Sequence, residues 1–183
     1  MGEGFNNFCK RVLKEMSAKA MPIREPSSFY QDKWKNNKHQ AEFVEDYEIH
    51  GQDFKVYSIS LGEYIQLFFI QNNMVFIFLE FMLESDDGIS MLYMWKVGAI
   101  GPLMPDLFRD YLLKHFKYIK SDSTHTPQGF NVYYNLAQDT NHIDTSVIDD
   151  TTGKIIQVVD GNELRKYYGG AAEEKYKFII KLK

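Results

Sequence analysis

Helical and strand-like patterns of apolar residues alternate along this sequence of 183 residues. The first pattern is helical, because its apolar residues recur three or four positions apart while charged residues take the opposite face. Pro22 and Pro26 end it, so residues 1–26 are predicted to form an amphipathic N-terminal arm. Such a helix either docks on a partner or, as is commoner, buries its stripe against its own domain. The stripe consists of Phe5, Phe8, Cys9, Val12, Leu13 and Met16.

Residues 27–40 separate this arm from the rest of the chain. They are polar and rich in lysine and asparagine, so we expect them to form a connector between the arm and the main domain. Phe29, Tyr30 and Trp34 are the aromatic residues that would anchor the connector.

Residues 43–97 are predicted to form a series of antiparallel strands. Asp87-Gly88 gives the strongest hairpin signal in the chain, and Asn72-Asn73 also tolerates turn geometry. The run 75–79 is apolar at every position, which is typical of a central strand covered by helices on both sides. The predicted strands span residues 43–49, 54–59, 64–70, 74–83 and 89–97.

The second half of the chain mixes helices and strands. An apolar stripe from Leu103 to Phe116 predicts one helix, and Thr126-Pro127 predicts the N-cap and first turn of another. Strands are expected at residues 118–119, 143–148, 155–159 and 176–182, the last with Lys181 and Lys183 on an exposed edge. The predicted fold class is therefore α/β (α+β): a central, mostly antiparallel sheet flanked by helices, forming one domain over residues 27–183.

Composition and charge narrow the classes of function. The net charge of −4 gives no reason to expect general nucleic-acid binding. Cys9 is the single cysteine, which excludes an intramolecular disulfide and a cysteine-based zinc site and fits a reducing cytosol. No histidine spacing indicates a metal site, and the longest apolar run, 75–83, is too short to span a membrane. We therefore expect a soluble cytoplasmic protein with no metal.

The predicted order of arm, antiparallel meander, helix, strand, helix and terminal strands resembles the core of the GNAT superfamily of acyltransferases. A local motif also resembles divergent GNAT-like proteins, many of them from bacteriophages. The resemblance implies an acyl-CoA site at the helix after the fourth strand, and a host-cytoplasm location if the chain is phage-encoded. The motif residues are Ser121, Asp122, Thr126, Pro127, Gly129, Tyr133 and Leu136.

The loop that would hold the cofactor departs from the family pattern. Gly98 and Gly101 allow a close backbone approach, and the resemblance places the cofactor there. However, Pro102 and Pro105 each remove an N–H donor, and Asp106 adds a carboxylate where phosphate would bind. The grip on acetyl-CoA or another acyl-CoA is therefore expected to be weakened or lost, and no cofactor is predicted unless the protein is an enzyme.

Three residues are candidates for acid–base chemistry. Glu80 interrupts an apolar strand, and a carboxylate buried there without a partner would be a candidate general base; it could equally face solvent or pair with a lysine. The resemblance implies that Tyr133 or Tyr134 is a general acid, although aromatic residues at helical spacing are more often core. Ser121, Asp122 and His125 lie close together in the sequence and could suggest acid–base or nucleophilic chemistry, but Asp122 and Ser123 more simply shape the turn before the helix.

Two functions remain open. The first is an accessory or interaction protein, of phage type, whose degenerate GNAT-like domain binds a protein partner through the N-terminal arm and exposed aromatic residues. The second is an acyl-CoA-dependent N-acyltransferase, with Gly98 and Gly101 at the cofactor, Glu80 as the base and Tyr133 or Tyr134 as the acid.

Overall fold

The structure is a computed structural model that describes residues 28–97, 103–122, 124–169 and 175–183. The predicted arm of residues 1–26 and the candidate cofactor residues Gly98 and Gly101 lie outside these ranges.

The prediction that residues 27–40 form a connector is wrong, because these residues include helix α1 (Ser28–Asn37), which packs on the sheet, followed by a 3-10 turn (Lys38–Gln40). Tyr30 and Trp34, four positions apart, place both rings on one side of the helix, where they pack against the sheet. Both predicted anchors are thus confirmed, whereas Phe29 points outward. Two large aromatic side chains on one face replace the apolar stripe that most helices of this length carry.

Five antiparallel strands follow α1, as the alternating pattern predicted. Asn72, Asn73 and Asp87 adopt positive φ angles in the tight turns that join them, a conformation that asparagine and aspartate tolerate. The central strand, apolar at adjacent positions, is covered on both faces, which confirms the prediction for residues 75–79. The strands are β1 (Glu42–Ile49), β2 (Gln52–Leu61), β3 (Tyr64–Gln71), β4 (Met74–Leu83) and β5 (Ile89–Lys96).

The rest of the chain adds helices to one face of the sheet and four strands to its side. A helix begins as α2 (Leu103–Leu107), passes through a π-helical turn (Phe108–Leu112) and ends as α3 (Leu113–His115). The short helix α5 (Gly161–Leu164) continues into a 3-10 turn (Arg165–Tyr167). The remaining elements are β6 (Ile119–Lys120), α4 (Pro127–Gln138), β7 (Ile143–Asp149), β8 (Ile155–Val158) and β9 (Tyr176–Leu182).

The nine strands of the described residues form one sheet in the order β1-β2-β3-β4-β5-β6-β9-β7-β8. Each neighbouring pair is antiparallel except β5 and β6, which are parallel. The prediction that β9 lies at an exposed edge is wrong, because β9 lies between β6 and β7. Lys181 lies on a solvent-facing side of β9 and therefore alternates with buried residues along the strand. Such alternation shows that one side of a strand faces solvent, and it does not show that the strand lies at the edge of its sheet.

The two faces of the sheet are covered by different helices. On one face, here called the core face, the side chains of α2, the π turn and α4 pack on apolar residues of the sheet. On the other, here called the α1 face, α1 packs on a smaller aromatic and aliphatic cluster that includes Phe68, Phe78 and Trp95. The result is a mixed α/β protein with a mostly antiparallel sheet, as predicted.

Candidate functional site

The parallel strands β5 and β6 pair over only two positions. Ile89 pairs with Ile119 and Ser90 with Lys120, after which β5 continues to Lys96 while β6 ends. A bulge in β5, in its pairing with β4, adds local twist just beyond this point. Pairing between the two strands therefore stops before β5 ends, at the carboxyl end of β6, and the carboxyl ends of strands are where open α/β sheets bind ligands.

The hydroxyl group of Ser121, at the end of β6, is held by three contacts. Its Oγ accepts a hydrogen bond from the Phe178 N–H at 2.8 Å, lies 3.1 Å from His125 Nε2 and donates to the Asp122 carbonyl oxygen at 2.8 Å. Ser121 is only 1% exposed. These contacts join the end of β6 to β9, so the serine acts here as a structural group and not as an accessible nucleophile.

The imidazole of His125 covers the same strand end. Its ring stacks on Phe178 with 4.7 Å between centroids and lies 5.5 Å from the ring of Tyr133. Burial lowers the pKa of His125 to about 4, so the ring is neutral at neutral pH. A base this weak is poorly matched to general-base catalysis near pH 7.

A side chain of β5 packs against the start of α4. A Cβ atom placed on Gly129, in the first turn of α4, would lie 3.6 Å from Met94 Cε, so Met94 reaches from β5 to this helix. Thr126 caps the helix by accepting a hydrogen bond from the Gly129 N–H at 3.1 Å, which confirms the predicted N-cap. Met94 thus packs between β5 and the first turn of α4.

Glu80 lies on the α1 face and pairs with a lysine, one of the two alternatives left open by the sequence. Its Oε2 accepts a hydrogen bond from Gln66 Nε2 at 2.5 Å and lies 3.2 Å from Lys33 Nζ. The Glu80 side chain is 19% exposed. The two donors on one carboxylate oxygen offset the free-energy cost of burying this charge in part. Glu80 is therefore not left as a free base.

A pair of tyrosines adjoins Glu80. The Tyr30 hydroxyl donates to the Tyr93 hydroxyl at 2.5 Å, and the Tyr30 ring stacks on Trp95 at 4.2 Å. Burial raises the pKa of both tyrosines, so both stay protonated at neutral pH. These contacts attach α1 to β5 and β4.

Tyr133 and Tyr134 lie on the core face, opposite Glu80. Tyr133 is 1% exposed and surrounded by the rings of Phe108, His125 and Phe178, and burial raises its pKa. The Tyr134 hydroxyl donates to Asn162 Oδ1 at 3.1 Å. The structure therefore does not bring the candidate base together with either candidate acid.

The residues that flank Gly98 and Gly101 include a charged network that the sequence did not reveal. Asp106, on α2, contacts Arg109 at 2.8 Å and His50 at 2.7 Å. Arg109 also lies 2.7 Å from Asp110 and 3.6 Å from Asp139. The three-residue spacing of Asp106 and Arg109 was a usable signal for the first contact, whereas His50 and Asp139 reach the network only through the tertiary fold. The Asp106 carboxylate is thus bound by two basic side chains.

The two edge strands of the sheet differ in charge. Strand β1 is bulged and bears four carboxylates: Glu42, Glu45, Asp46 and Glu48. Strand β8, together with Val159, has no charged residue, and Ile155 and Val159 are 62% and 77% exposed. Charges and bulges are the usual means by which proteins protect an edge from pairing with another chain. Within the described ranges, β8 pairs with β7 alone and lacks both kinds of protection.

No described helix is long and apolar enough to cross a membrane. Among the same residues, no three histidine, cysteine, aspartate or glutamate side chains are grouped so that they could hold a metal ion. A comparison with protein-family models finds no match for this chain, and a comparison with curated proteins finds none either.

Proposed function

We propose that this protein is an interaction module: a degenerate GNAT-like domain, of the kind seen in bacteriophage accessory proteins, that binds a protein partner through the outer edge of β8. The observation that carries the proposal is the exposed, uncharged edge formed by Ile155–Val158 and Val159. A protein strand that pairs with such an edge gains main-chain hydrogen bonds, and side chains at alternate positions add specificity.

The order of elements supports the GNAT-like part of the proposal. An antiparallel meander leads through a helix into β6, which is parallel to β5 and pairs with it over only two positions, an arrangement compatible with strands that separate beyond them. In the family that the sequence resembles, such a separation makes the slot for the pantetheine arm. Here the helix follows the fifth strand of the sheet, so the edge strand β1 would be an addition to the family's core.

The positions of the candidate catalytic residues favour binding over acyl transfer. Glu80 is held by Gln66 and Lys33 beneath α1, and Tyr133 is buried on the other face of the sheet. Met94 packs between β5 and the first turn of α4. A transferase needs its base, its acid and an open slot around one reacting centre.

Capture by the full chain would test the interaction function. The partner captured from cells by the full chain is expected to be lost with Ile155→Asp, because the new carboxylate would oppose an added strand. Phe43→Asp on β1 is the matched control and should retain the partner. Equal capture by both variants, or cross-links to the partner that avoid residues 154–160, would contradict the proposed role of β8.

The second candidate is an acyl-CoA-dependent N-acyltransferase, and the short parallel pairing of β5 and β6 is the observation that favours it. Titration of the protein with CoA in a calorimeter tests it directly. We expect no binding at millimolar CoA, because Pro102 and Pro105 each lack an N–H donor and Asp106 adds a carboxylate nearby. Micromolar binding that disappears with Gly101→Asp would contradict this expectation and favour the transferase.

A further inference from the structure

The sequence around β8 is chemically symmetric when it is reversed. Residues 154–160 read Lys-Ile-Ile-Gln-Val-Val-Asp, so the central Gln157 is flanked on each side by two β-branched apolar residues. The ends carry opposite charges, Lys154 and Asp160. A strand with this pattern is complementary to an antiparallel copy of itself.

Twofold symmetry makes this complementarity specific. A twofold axis relates two identical edge strands in antiparallel orientation. A residue on one side of the axis then faces the residue of the other copy that lies equally far from the axis on the opposite side. With the axis at Gln157, Ile155 of one copy faces Val159 of the other. In the same register Lys154 of one copy faces Asp160 of the other. Opposite charges and paired β-branched residues are the cross-strand neighbours that stabilise antiparallel sheets.

The backbone of β8 offers hydrogen-bonding groups in the same register. The Asp149 N–H donates to the Lys154 carbonyl oxygen at 2.9 Å, so Lys154 bonds inward towards β7. Because bonding direction alternates along an antiparallel ladder, Ile155 and Gln157 direct their N–H and C=O groups away from β7. A second Gln157 on the axis would exchange both of its backbone bonds with the first.

Glu163 limits how far this ladder can extend. Its Oε2 accepts a hydrogen bond from the Val159 N–H at 2.8 Å, so this edge donor already has a partner. The Val159 carbonyl oxygen can still accept from Ile155 of a second copy. The new ladder is therefore short and centred on Gln157.

The opposite edge cannot pair with itself in this way. The four carboxylates of β1, Glu42, Glu45, Asp46 and Glu48, would be brought close to those of an antiparallel copy. Like charges that face each other across strands are destabilising, and the bulge in β1 also interrupts a regular ladder. Self-pairing is thus confined to β8.

We propose that the protein forms a twofold homodimer in which the β8 strands pair antiparallel about Gln157 and the two sheets become continuous. This inference rests on the proposed function of β8 as an interaction edge and names its partner as a second copy of the chain. A residue on a twofold axis faces itself, and this property gives a decisive test.

The test uses sedimentation of the purified full chain at about 200 µM, where a small interface of micromolar affinity is occupied. The wild-type protein should sediment as a dimer, with twice the 21.5 kDa mass of one chain. Gln157→Glu and Gln157→Lys should each weaken the dimer at least about tenfold, because like charges then meet at the axis. An equal mixture of the two variants should restore the dimer, since each Glu then faces a Lys.

Val44→Glu, on β1, is the matched control and should leave the dimer unchanged. Circular dichroism and thermal melts establish that both Gln157 variants are folded. A wild-type monomer at this concentration, a dimer that survives in both single variants, or a mixture that stays monomeric would overturn the inference. Partner capture separates the two proposals: a monomeric wild type that loses its captured partner with Gln157→Glu would leave the interaction function standing and exclude the second copy.

Discussion

The core face and the α1 face of the sheet differ in how their side chains are buried. Fully buried apolar residues dominate the core face, and the candidate catalytic residue Tyr133 is part of that packing. The α1 face buries polar groups under a single short helix, with Glu80 bound to Gln66 and Lys33. The α1 face thus holds a paired carboxylate beneath one helix, whereas the core face is packed mainly from apolar side chains.

The largest expected difference between the faces comes from truncating one aromatic side chain on each. Phe178→Ala removes a fully buried ring that contacts His125, Phe130 and Tyr133, and should lower the free energy of unfolding by about 4 kcal/mol. Tyr30→Ala should instead release α1, because a ten-residue helix is marginal without its packing. Chemical denaturation followed by fluorescence measures the first effect.

Hydrogen exchange distinguishes a variant that is destabilised throughout from one that loses only the structure of α1. In the Tyr30→Ala protein, amides of α1 should lose protection while amides of β7 and β9 keep theirs. In the Phe178→Ala protein, protection should fall throughout the sheet. Phe29→Ala is the matched control, since the Phe29 side chain is exposed and should leave α1 protected. If Tyr30→Ala unfolds the whole sheet, the two faces are one cooperative unit.

The next prediction concerns the partly buried imidazole of His125 on the core face. The pKa of His125 falls from its ordinary value of 6.5 to about 4 on folding, so the unfolded chain binds a proton first as pH falls. The stability that depends on a neutral His125 is therefore fully present above pH 6.5 and is lost as the pH falls from 6.5 to 4. Between pH 8 and pH 5 the wild type should lose about 2 kcal/mol more stability than His125→Gln, which cannot take up this proton.

Urea unfolding at several pH values checks this difference. His39→Gln is the control, because His39 is exposed and its ring nitrogen lies 3.2 Å from the neutral side chain of Gln40, so the variant should lose stability with falling pH as the wild type does. A His125→Gln protein with the same pH dependence as the wild type would show that the imidazole is not held neutral by burial.

Local patterns in the sequence predicted the elements of the core face and most of the sheet. Apolar runs and turn residues located every strand to within two residues, and Thr126 marked the start of α4 correctly. These features depend on neighbours in the chain, which a sequence displays directly.

Features that depend on distant residues were missed. Helix α1 was predicted to be a connector, because its attachment depends on Tyr93 and Trp95, more than 60 positions away. The position of β9 between β6 and β7 is likewise a matter of strand pairing, which alternation alone does not encode. For the candidate site, Glu80 was recognised as unusual, but its alternatives could be separated only by placing Lys33 beside it.

The smallest predicted effect concerns that ion pair on the α1 face. Lys33 and Glu80 are each mostly buried, with an N–O distance of 3.2 Å, so their attraction is screened less than that of an exposed pair. A double-mutant cycle of Lys33→Met and Glu80→Gln should give a coupling energy of about 1 kcal/mol. Glutamine is the appropriate replacement, because its carbonyl oxygen can still accept the hydrogen bond from Gln66.

The exposed pair of Lys55 and Asp46 near the β1 edge is the internal control for this cycle, because its N–O distance is also 3.2 Å. Solvent and salt screen such a pair, so its coupling should lie within experimental error. Similar coupling in both pairs would mean that α1 does not shield Glu80. Protonation removes the charge of the Glu80 carboxylate and with it the attraction to Lys33. The measured coupling is therefore one part of the energetic cost of the general-base role that an acyltransferase would require of Glu80.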